Sequence, residues 1–177
     1  MTADTTLAPA RARLRAVRLA RQKTPEDAGT ALAEAVTCGD MAKAAAGRGD
    51  WKRALAMCRQ IARLLRLFPQ DRLLAAALAD AVLHAWPLAR RRPGRVRQLL
   101  DLLDVAVESH PHDLDLAFTM HEAIASLVAD VQGGEGQRHR ALARLGLSWL
   151  RPLCERFPGE EVFRQTLETL QTAARNG

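Results

Sequence analysis

The residues of this chain that could do chemistry include five histidines, two of which lie beside an aspartate in His110-Pro111-His112-Asp113. A transition-metal site needs several such side chains to converge on one ion. The proline marks a junction between two helices, where Asp113 is expected to cap the following helix. His110 is expected to face the negative end of the preceding helix dipole. We therefore expect a structural role for this group, and neither a metal nor another cofactor.

The serines and cysteines give little support for nucleophilic catalysis. None of the three serines lies in a Gly-x-Ser-x-Gly sequence, and Cys154 has no histidine close to it in sequence. His121-Glu122 begins like the zinc-protease motif His-Glu-x-x-His, but Ala125 ends the match. Because His121 and Cys58 lie on apolar stripes, we expect a core histidine with a hydrogen-bond partner and a buried thiol. The chain is predicted not to be an enzyme.

Arginine is concentrated in two segments. One is the run from Ala10 to Lys23, and the other is a turn between helices that carries Arg90, Arg91, Arg92, Arg95 and Arg97. Guanidinium groups on an exposed turn can bind phosphate or carboxylate in a bidentate way, so nucleic-acid backbone is one candidate partner. The alternative is a solvated charged surface, because no aromatic residues for base stacking are interleaved with these arginines.

Composition indicates one helical globular domain. The 177 residues are 48% hydrophobic and 26% charged, and the uncharged stretches are far shorter than the roughly 18 apolar residues of a membrane span. Ala, Leu and Arg dominate, with 23 Arg against 3 Lys, which favours helices and is typical of a GC-rich bacterial genome. Three cysteines without ligand-like spacing, and no secretory signal, favour reduced thiols in the bacterial cytoplasm.

Charge is divided unequally along the chain. Residues 1–100 hold 19 Lys or Arg against 8 Asp or Glu, whereas residues 101–177 hold 7 against 12. Such a split creates a long-range dipole that can steer an anionic partner to one end. The alternative is that it serves only solubility and weak head-to-tail attraction between copies.

Apolar residues recur every three to four positions along the chain, which indicates amphipathic helices. Three segments each end one helix and begin another: Phe68-Pro69-Gln70-Asp71, His110-Pro111-His112-Asp113 and Phe157-Pro158-Gly159-Glu160. Proline stops the first helix, and the acid two residues later lies at the cap or first turn of the second. An opening helix is expected from Pro25 to about Ala45, with Thr24 as N-cap and Gly39 as a candidate break.

A glycine precedes the second helix of each predicted pair, at Gly49, Gly94 and Gly136. Gly94 is followed five residues later by Leu99 and 17 residues later by Pro111, the spacing of the second helix in tetratricopeptide repeats. Residues 25–175 therefore resemble the tetratricopeptide-like α-solenoid family, although its first-helix glycine is replaced here by Ala79, His121 and Glu168. The resemblance implies an all-α fold of antiparallel helix pairs stacked as a short right-handed solenoid. An irregular antiparallel helical bundle is the alternative.

Two predicted helices are apolar on a second side, which carries Leu83, Trp86, Leu116, Met120 and Leu127. In a solenoid, such side chains line the concave groove that binds a peptide or helix of a partner, unless neighbouring helices cover them. We expect a basic N-terminal helical arm (residues 1–23) and a helical-repeat domain (residues 24–177) of three helix pairs plus a terminal helix. Its expected function is that of an adaptor, scaffold or chaperone-like protein-binding module. The alternative is a small basic subunit that binds nucleic-acid backbone in a nucleoprotein complex.

Overall fold

The computed structural model describes residues 8–132 and 136–176, and all regular structure in these ranges is helical. The α-helices are α1 (Ala8–Lys23), α2 (Ala28–Ala46), α3 (Trp51–Leu67), α4 (Arg72–Ala85), α5 (Pro93–Ser109), α6 (Leu114–Gln132), α7 (Gln137–Arg156) and α8 (Glu161–Asn176). A 3₁₀ turn, Trp86–Leu88, follows α4. The predicted all-α class is confirmed. No helix within the described ranges is both long enough and apolar enough to cross a membrane.

The three proline junctions share one hydrogen-bond pattern. In each, the backbone N–H of the acidic residue donates to a carbonyl at the end of the preceding helix, at 3.0 to 3.1 Å. The donor and acceptor residues are Asp71 and Phe68, Asp113 and His110, and Glu160 and Phe157. The carboxylates of Asp71 and Asp113 also accept hydrogen bonds from the first N–H groups of α4 and α6. The capping role expected for Asp113 is confirmed, since these N–H groups have no partner within their own helices.

The start of α2 differs from the predicted one. Asp27, not Thr24, is the N-cap, because its carboxylate accepts hydrogen bonds from two N–H groups of α2 at 3.0 and 3.2 Å. The hydroxyl of Thr24 instead donates to the carbonyl of Ala20 at the end of α1. A carboxylate at the N-cap also interacts with the positive end of the helix dipole. The predicted break is also wrong: α2 continues through Gly39, since one glycine weakens a helix without interrupting its hydrogen bonds.

The helices form two layers. α2, α4, α6 and α8 make the first layer, in which each helix packs against the next, and α3, α5 and α7 make the second layer in the same way. Consecutive helices are joined by short turns and pack together as antiparallel pairs. The helix pairs predicted from the sequence are therefore present, in a packing that fits both a short solenoid and a helical bundle.

Polar contacts between neighbouring pairs join positions about one repeat apart. In the first layer, the indole N–H of Trp86 donates to the hydroxyl of Ser126, which lies 40 residues further on. In the second layer, Arg156 donates to Glu108 across 48 residues. The junction prolines are 42 and 47 residues apart. Equivalent positions of successive pairs thus lie side by side, as in proteins built from stacked repeats.

Three helices pack closely together at Gly146 of α7. A Cβ atom placed there would lie 2.9 Å from Cδ1 of Leu170 in α8 and 3.3 Å from Cγ2 of Ile124 in α6. These distances are shorter than ordinary van der Waals contact between carbon atoms. The missing side chain therefore lets three helices meet at this point of the core.

α1 occupies most of the predicted N-terminal arm and packs against α2. The Nε atoms of Arg18 and Arg21 donate to the two carboxylate oxygens of Glu34, at 2.9 and 2.8 Å. Glu34 is 0% exposed, and Gln60 of α3 donates to it at 3.1 Å. Leu14 of α1 is buried as well. α1 is thus attached to the other helices through the buried carboxylate of Glu34. Residues 1–7 of the predicted arm lie outside the described residues.

Candidate functional site

The five arginines predicted as phosphate contacts do not all face solvent. Arg90 and Arg91 converge on Asp130, each with its Nε atom 3.6 Å from a carboxylate oxygen. Arg95 donates to the carbonyl of Leu88 at 3.0 Å. Its guanidinium also lies 4.8 Å from the ring centroid of Trp51. These three arginines therefore hold the turn in place.

Four of the five arginines are exposed: the side chains of Arg90 and Arg91 are 46% and 70% exposed despite their ion pairs, and the two remaining arginines are exposed as well. Arg92 precedes α5, and Arg97 lies one turn into that helix. Arg97 borders a cleft between α5 and α7. The structure thus leaves two arginines of the predicted five without a structural contact among the described residues.

The apolar residues predicted to line a groove are mostly in the core. Trp86, Leu116, Met120 and Leu127 are buried. Leu83 is half-buried. Neighbouring helices cover the second apolar side, which was one of the two alternatives that the sequence left open. Leu83 and Leu116 line a cleft between α4 and α6, and Met120 lines one between α5 and α7. Trp86 and Leu127 pack inside the stack.

The first layer has two clefts, about one repeat apart. The cleft between α2 and α4 has a volume of about 220 Å³, and that between α4 and α6 about 290 Å³. Small side chains such as Gly39 and Ala77 line the former, and Ala76 and Ala79 line the latter. These clefts were not predicted from the sequence, although the run Ala75-Ala76-Ala77 in α4 indicates close packing beside short side chains.

Charged groups border both clefts of the first layer. Asp80 borders the two of them, and its carboxylate lies 3.4 Å from Nε2 of His84. Its side chain is 69% exposed, which leaves it able to accept further hydrogen bonds. Arg72 borders the α4–α6 cleft and is paired with Asp113 and Asp115. Each cleft thus combines an apolar floor with a polar edge, a combination that suits a peptide segment.

The second layer carries a row of basic side chains on α3 that the sequence analysis did not single out. Its members are exposed and lie on one line of the helix: Lys52, Arg59, Arg63 and Arg66. Arg59 also donates to the side chain of Gln98 in α5, at 3.3 Å. The signal was available in the sequence, since these spacings of seven, four and three residues keep to one helical face, and α3 has no acidic residue.

The cleft between α5 and α7 is acidic and has a volume of about 310 Å³. Asp101, Asp104 and Glu108 border it along α5. Burial raises the pKa of Asp104, as do the charges of Glu108 and Asp101, while Arg156 opposes the increase. Arg156 donates to Glu108 at 2.6 Å and so neutralises one end of this row.

No serine in the described residues is activated for catalysis. Ser109, Ser126 and Ser148 each donate to a backbone carbonyl three residues earlier, at 2.7 to 2.8 Å. The hydroxyl of Ser109 is also 2.9 Å from Nδ1 of His110. Since that hydroxyl already donates to a carbonyl, the ring nitrogen is placed as the donor, not as a base.

Cys38, Cys58 and His121 occupy structural positions. Burial raises the pKa of Cys38 and of Cys58 to about 12, so both are inert at neutral pH. His121 is buried and hydrogen-bonded, as the sequence predicted. Within the described ranges, no three His, Cys, Asp or Glu side chains come together as a metal site.

The comparisons with known proteins give this chain no relative. No protein-family model matches it, and no curated protein and no solved structure matches it significantly. What the chain does must therefore be inferred from its two surfaces, the cleft-bearing first layer and the basic row of the second layer.

Proposed function

We propose that this protein is a non-enzymatic interaction module, of tetratricopeptide-like form, that binds a segment of a partner protein along its first layer. The observation that carries the proposal is the pair of clefts between α2 and α4 and between α4 and α6, which share Asp80. In helical-repeat proteins, the face formed by one helix of each pair binds extended partners. Such a module acts as an adaptor, scaffold or chaperone.

The lining of the clefts defines the chemistry of the partner segment. The short side chains of Gly39, Ala76 and Ala77 leave room for apolar side chains of the partner. The exposed carboxylate of Asp80, between the two clefts, can accept a hydrogen bond from a backbone N–H or from a basic side chain. We therefore propose a peptide or helix with apolar side chains on one side and a basic or N–H donor group near its middle.

The bacterial cytoplasm is the proposed compartment. Free cysteines at positions 38, 58 and 154 fit a reducing environment. The excess of Arg over Lys, together with abundant Ala, fits a GC-rich bacterial genome.

The test is to block both clefts from α4. The double variant Ala76→Arg and Ala77→Arg fills the two clefts with long side chains, and the matched control Ala56→Arg and Ser148→Arg adds the same charge to the second layer. Each tagged protein is used to capture partners from a nuclease-treated lysate of the native host. We expect the same partner with the wild-type chain and the control, and its loss with the cleft variant.

A second variant controls for misfolding of the double variant, whose substituted residues Ala76 and Ala77 are half-buried. Asp80→Lys changes an exposed side chain and should also weaken capture of that partner, with an unchanged thermal melt. Equal capture by the wild-type chain and both first-layer variants would refute the proposal, as would partners that are lost only from the second-layer control.

A further inference from the structure

The basic row on α3 is straight and has no acidic neighbour on its own helix. The row consists of Lys52, Arg59, Arg63 and Arg66, and its ends are 14 positions apart, or about 21 Å along the axis at the rise of an α-helix. All four are exposed. Among the described residues, Lys52, Arg63 and Arg66 have no ion-pair partner. The row is therefore a line of cations with little neutralisation. Repulsion between these charges is unfavourable unless a polyanion or counterions from solution lie beside them.

The neighbouring second-layer helix limits where a polyanion can lie. α5 packs against α3, and its Asp101, Asp104 and Glu108 border the cleft toward α7. These carboxylates repel a polyanion that crosses α5. A bound polyanion must therefore follow α3 lengthwise. The hydrogen bond from Arg59 to Gln98 keeps one guanidinium of the row in a fixed position.

We propose that the exposed face of α3 binds the phosphate backbone of a nucleic-acid duplex, at a surface separate from the protein-binding clefts. A duplex is a stiff rod with regularly spaced phosphates, and it matches a straight row of cations on a rigid helix. Stacking of single-stranded bases is not provided, because α3 has no aromatic residue between Lys52 and Arg66. Trp51, at the start of α3, is covered by the guanidinium of Arg95.

This surface binds duplexes without reading their sequence. Phosphate contacts position a protein on a duplex, whereas contacts with base edges specify the sequence. The α3 row offers only phosphate contacts. Arg90 and Arg91 do not belong to this row, because they lie on the turn before α5, where each Nε atom is 3.6 Å from a carboxylate oxygen of Asp130.

The test is the salt dependence of binding to a labelled duplex of about 20 base pairs, measured by fluorescence anisotropy between about 50 and about 300 mM salt. Each lost phosphate contact flattens the plot of log affinity against log salt by about 0.9. We expect Arg59→Ala, Arg63→Ala and Arg66→Ala together to flatten it by about 2.7 and to weaken binding at least about tenfold at the lowest salt. Arg90→Ala with Arg91→Ala should leave the slope unchanged.

A matched control separates a specific surface from net charge. Arg140→Ala, Arg144→Ala and Arg151→Ala remove the same charge from exposed positions of α7, also in the second layer. We expect this control to keep more than half of the wild-type slope. Equal losses in the two triple variants would overturn the proposal in favour of net charge, as would a wild-type chain that does not bind the duplex.

A competition experiment identifies the class of polyanion that α3 binds. Poly-glutamate of equal total charge should displace the duplex at least about tenfold less well than unlabelled duplex, because a flexible chain must be ordered on binding. Equal displacement would mean that α3 binds an acidic protein segment instead. The thermal melts of the variants should match the wild-type melt, since exposed substitutions change stability by no more than about 0.5 kcal/mol.

Discussion

His121 shows how a titratable side chain serves as a core residue. It is 7% exposed, and its Nε2 atom is 2.9 Å from the hydroxyl of Thr166 in α8. Its ring centroid lies 4.9 Å from that of Phe163. Burial lowers its pKa from the ordinary 6.5, although a hydrogen bond with the backbone of Val162 and the charge of Glu122 act in the opposite direction. The neutral ring is thus the form that the fold accommodates.

This shift makes the stability of the protein depend on pH. Since the pKa of His121 is lower in the folded chain, the unfolded chain binds more protons as the pH falls below 6.5. The free energy of unfolding therefore decreases over that range. In urea unfolding at about pH 7.5 and about pH 5.5, we expect the wild-type chain to lose more stability than His121→Gln, which cannot titrate there. Equal losses would show that His121 is not the group responsible.

The sequence predicted the environment of single residues better than their partners. The apolar stripe around His121 indicated burial, because a helix with period 3.6 has one inner face. Thr166 is 45 residues away, and only the packing of α6 against α8 brings the two together. Similarly, no local sequence pattern indicated that Asp130 pairs with Arg90 and Arg91. The arginine turn was therefore predicted as a candidate phosphate site.

α1 is held to the stack by charge more than by apolar area. Leu14 is the only side chain of α1 that is buried, and Leu19 is 60% exposed. The attachment rests instead on Arg18 and Arg21, which meet the buried carboxylate of Glu34. Removing the cations leaves a buried charge without its ionic partners, which is a strongly destabilising change.

Paired substitutions test this attachment. Arg18→Ala with Arg21→Ala should lower the free energy of unfolding by about 2 to 3 kcal/mol, less than for a fully buried pair because both arginines are partly exposed. Adding Glu34→Gln should restore part of the loss, because the buried group is then neutral and still bonded to Gln60. Urea unfolding measures both effects. A double arginine variant as stable as the wild-type chain would instead make residues 1–23 the separable arm that their composition suggested.

At the scale of helices, the sequence predicted the elements and their junctions but not the surfaces between them. The pattern of a proline followed by an acidic residue predicted three junctions correctly. Both residues affect only the backbone within a few positions along the chain, so the sequence alone reveals their effect. The clefts of the first layer depend on which short side chains of α2, α4 and α6 face one another. That register is set by packing across about 40 residues, as in the contact of Trp86 with Ser126.

The whole molecule is a stack in which each helix packs mainly against helices one or two places away along the chain. Stability in such a stack is approximately a sum of unit and interface terms. Ending the chain before Pro158 removes α8, including the buried Phe163 and Leu170. We expect the rest to remain helical by circular dichroism, with a lower melting temperature. Hydrogen exchange should show unchanged protection in α2 to α4 and reduced protection in α6 and α7. Uniform loss of protection would show that the protein unfolds as one indivisible unit.

The contacts of Trp86 with Ser126 and of Arg156 with Glu108, which join successive helix pairs across 40 and 48 residues, have a consequence for how the chain can lengthen. Because these contacts join successive helix pairs, a tandem copy of one pair would have another pair to pack against on each side. A duplication within the gene would then lengthen the stack and would not insert residues into an existing core. The same duplication would add one more cleft to the first layer, so the length of partner that the protein holds would increase by one step.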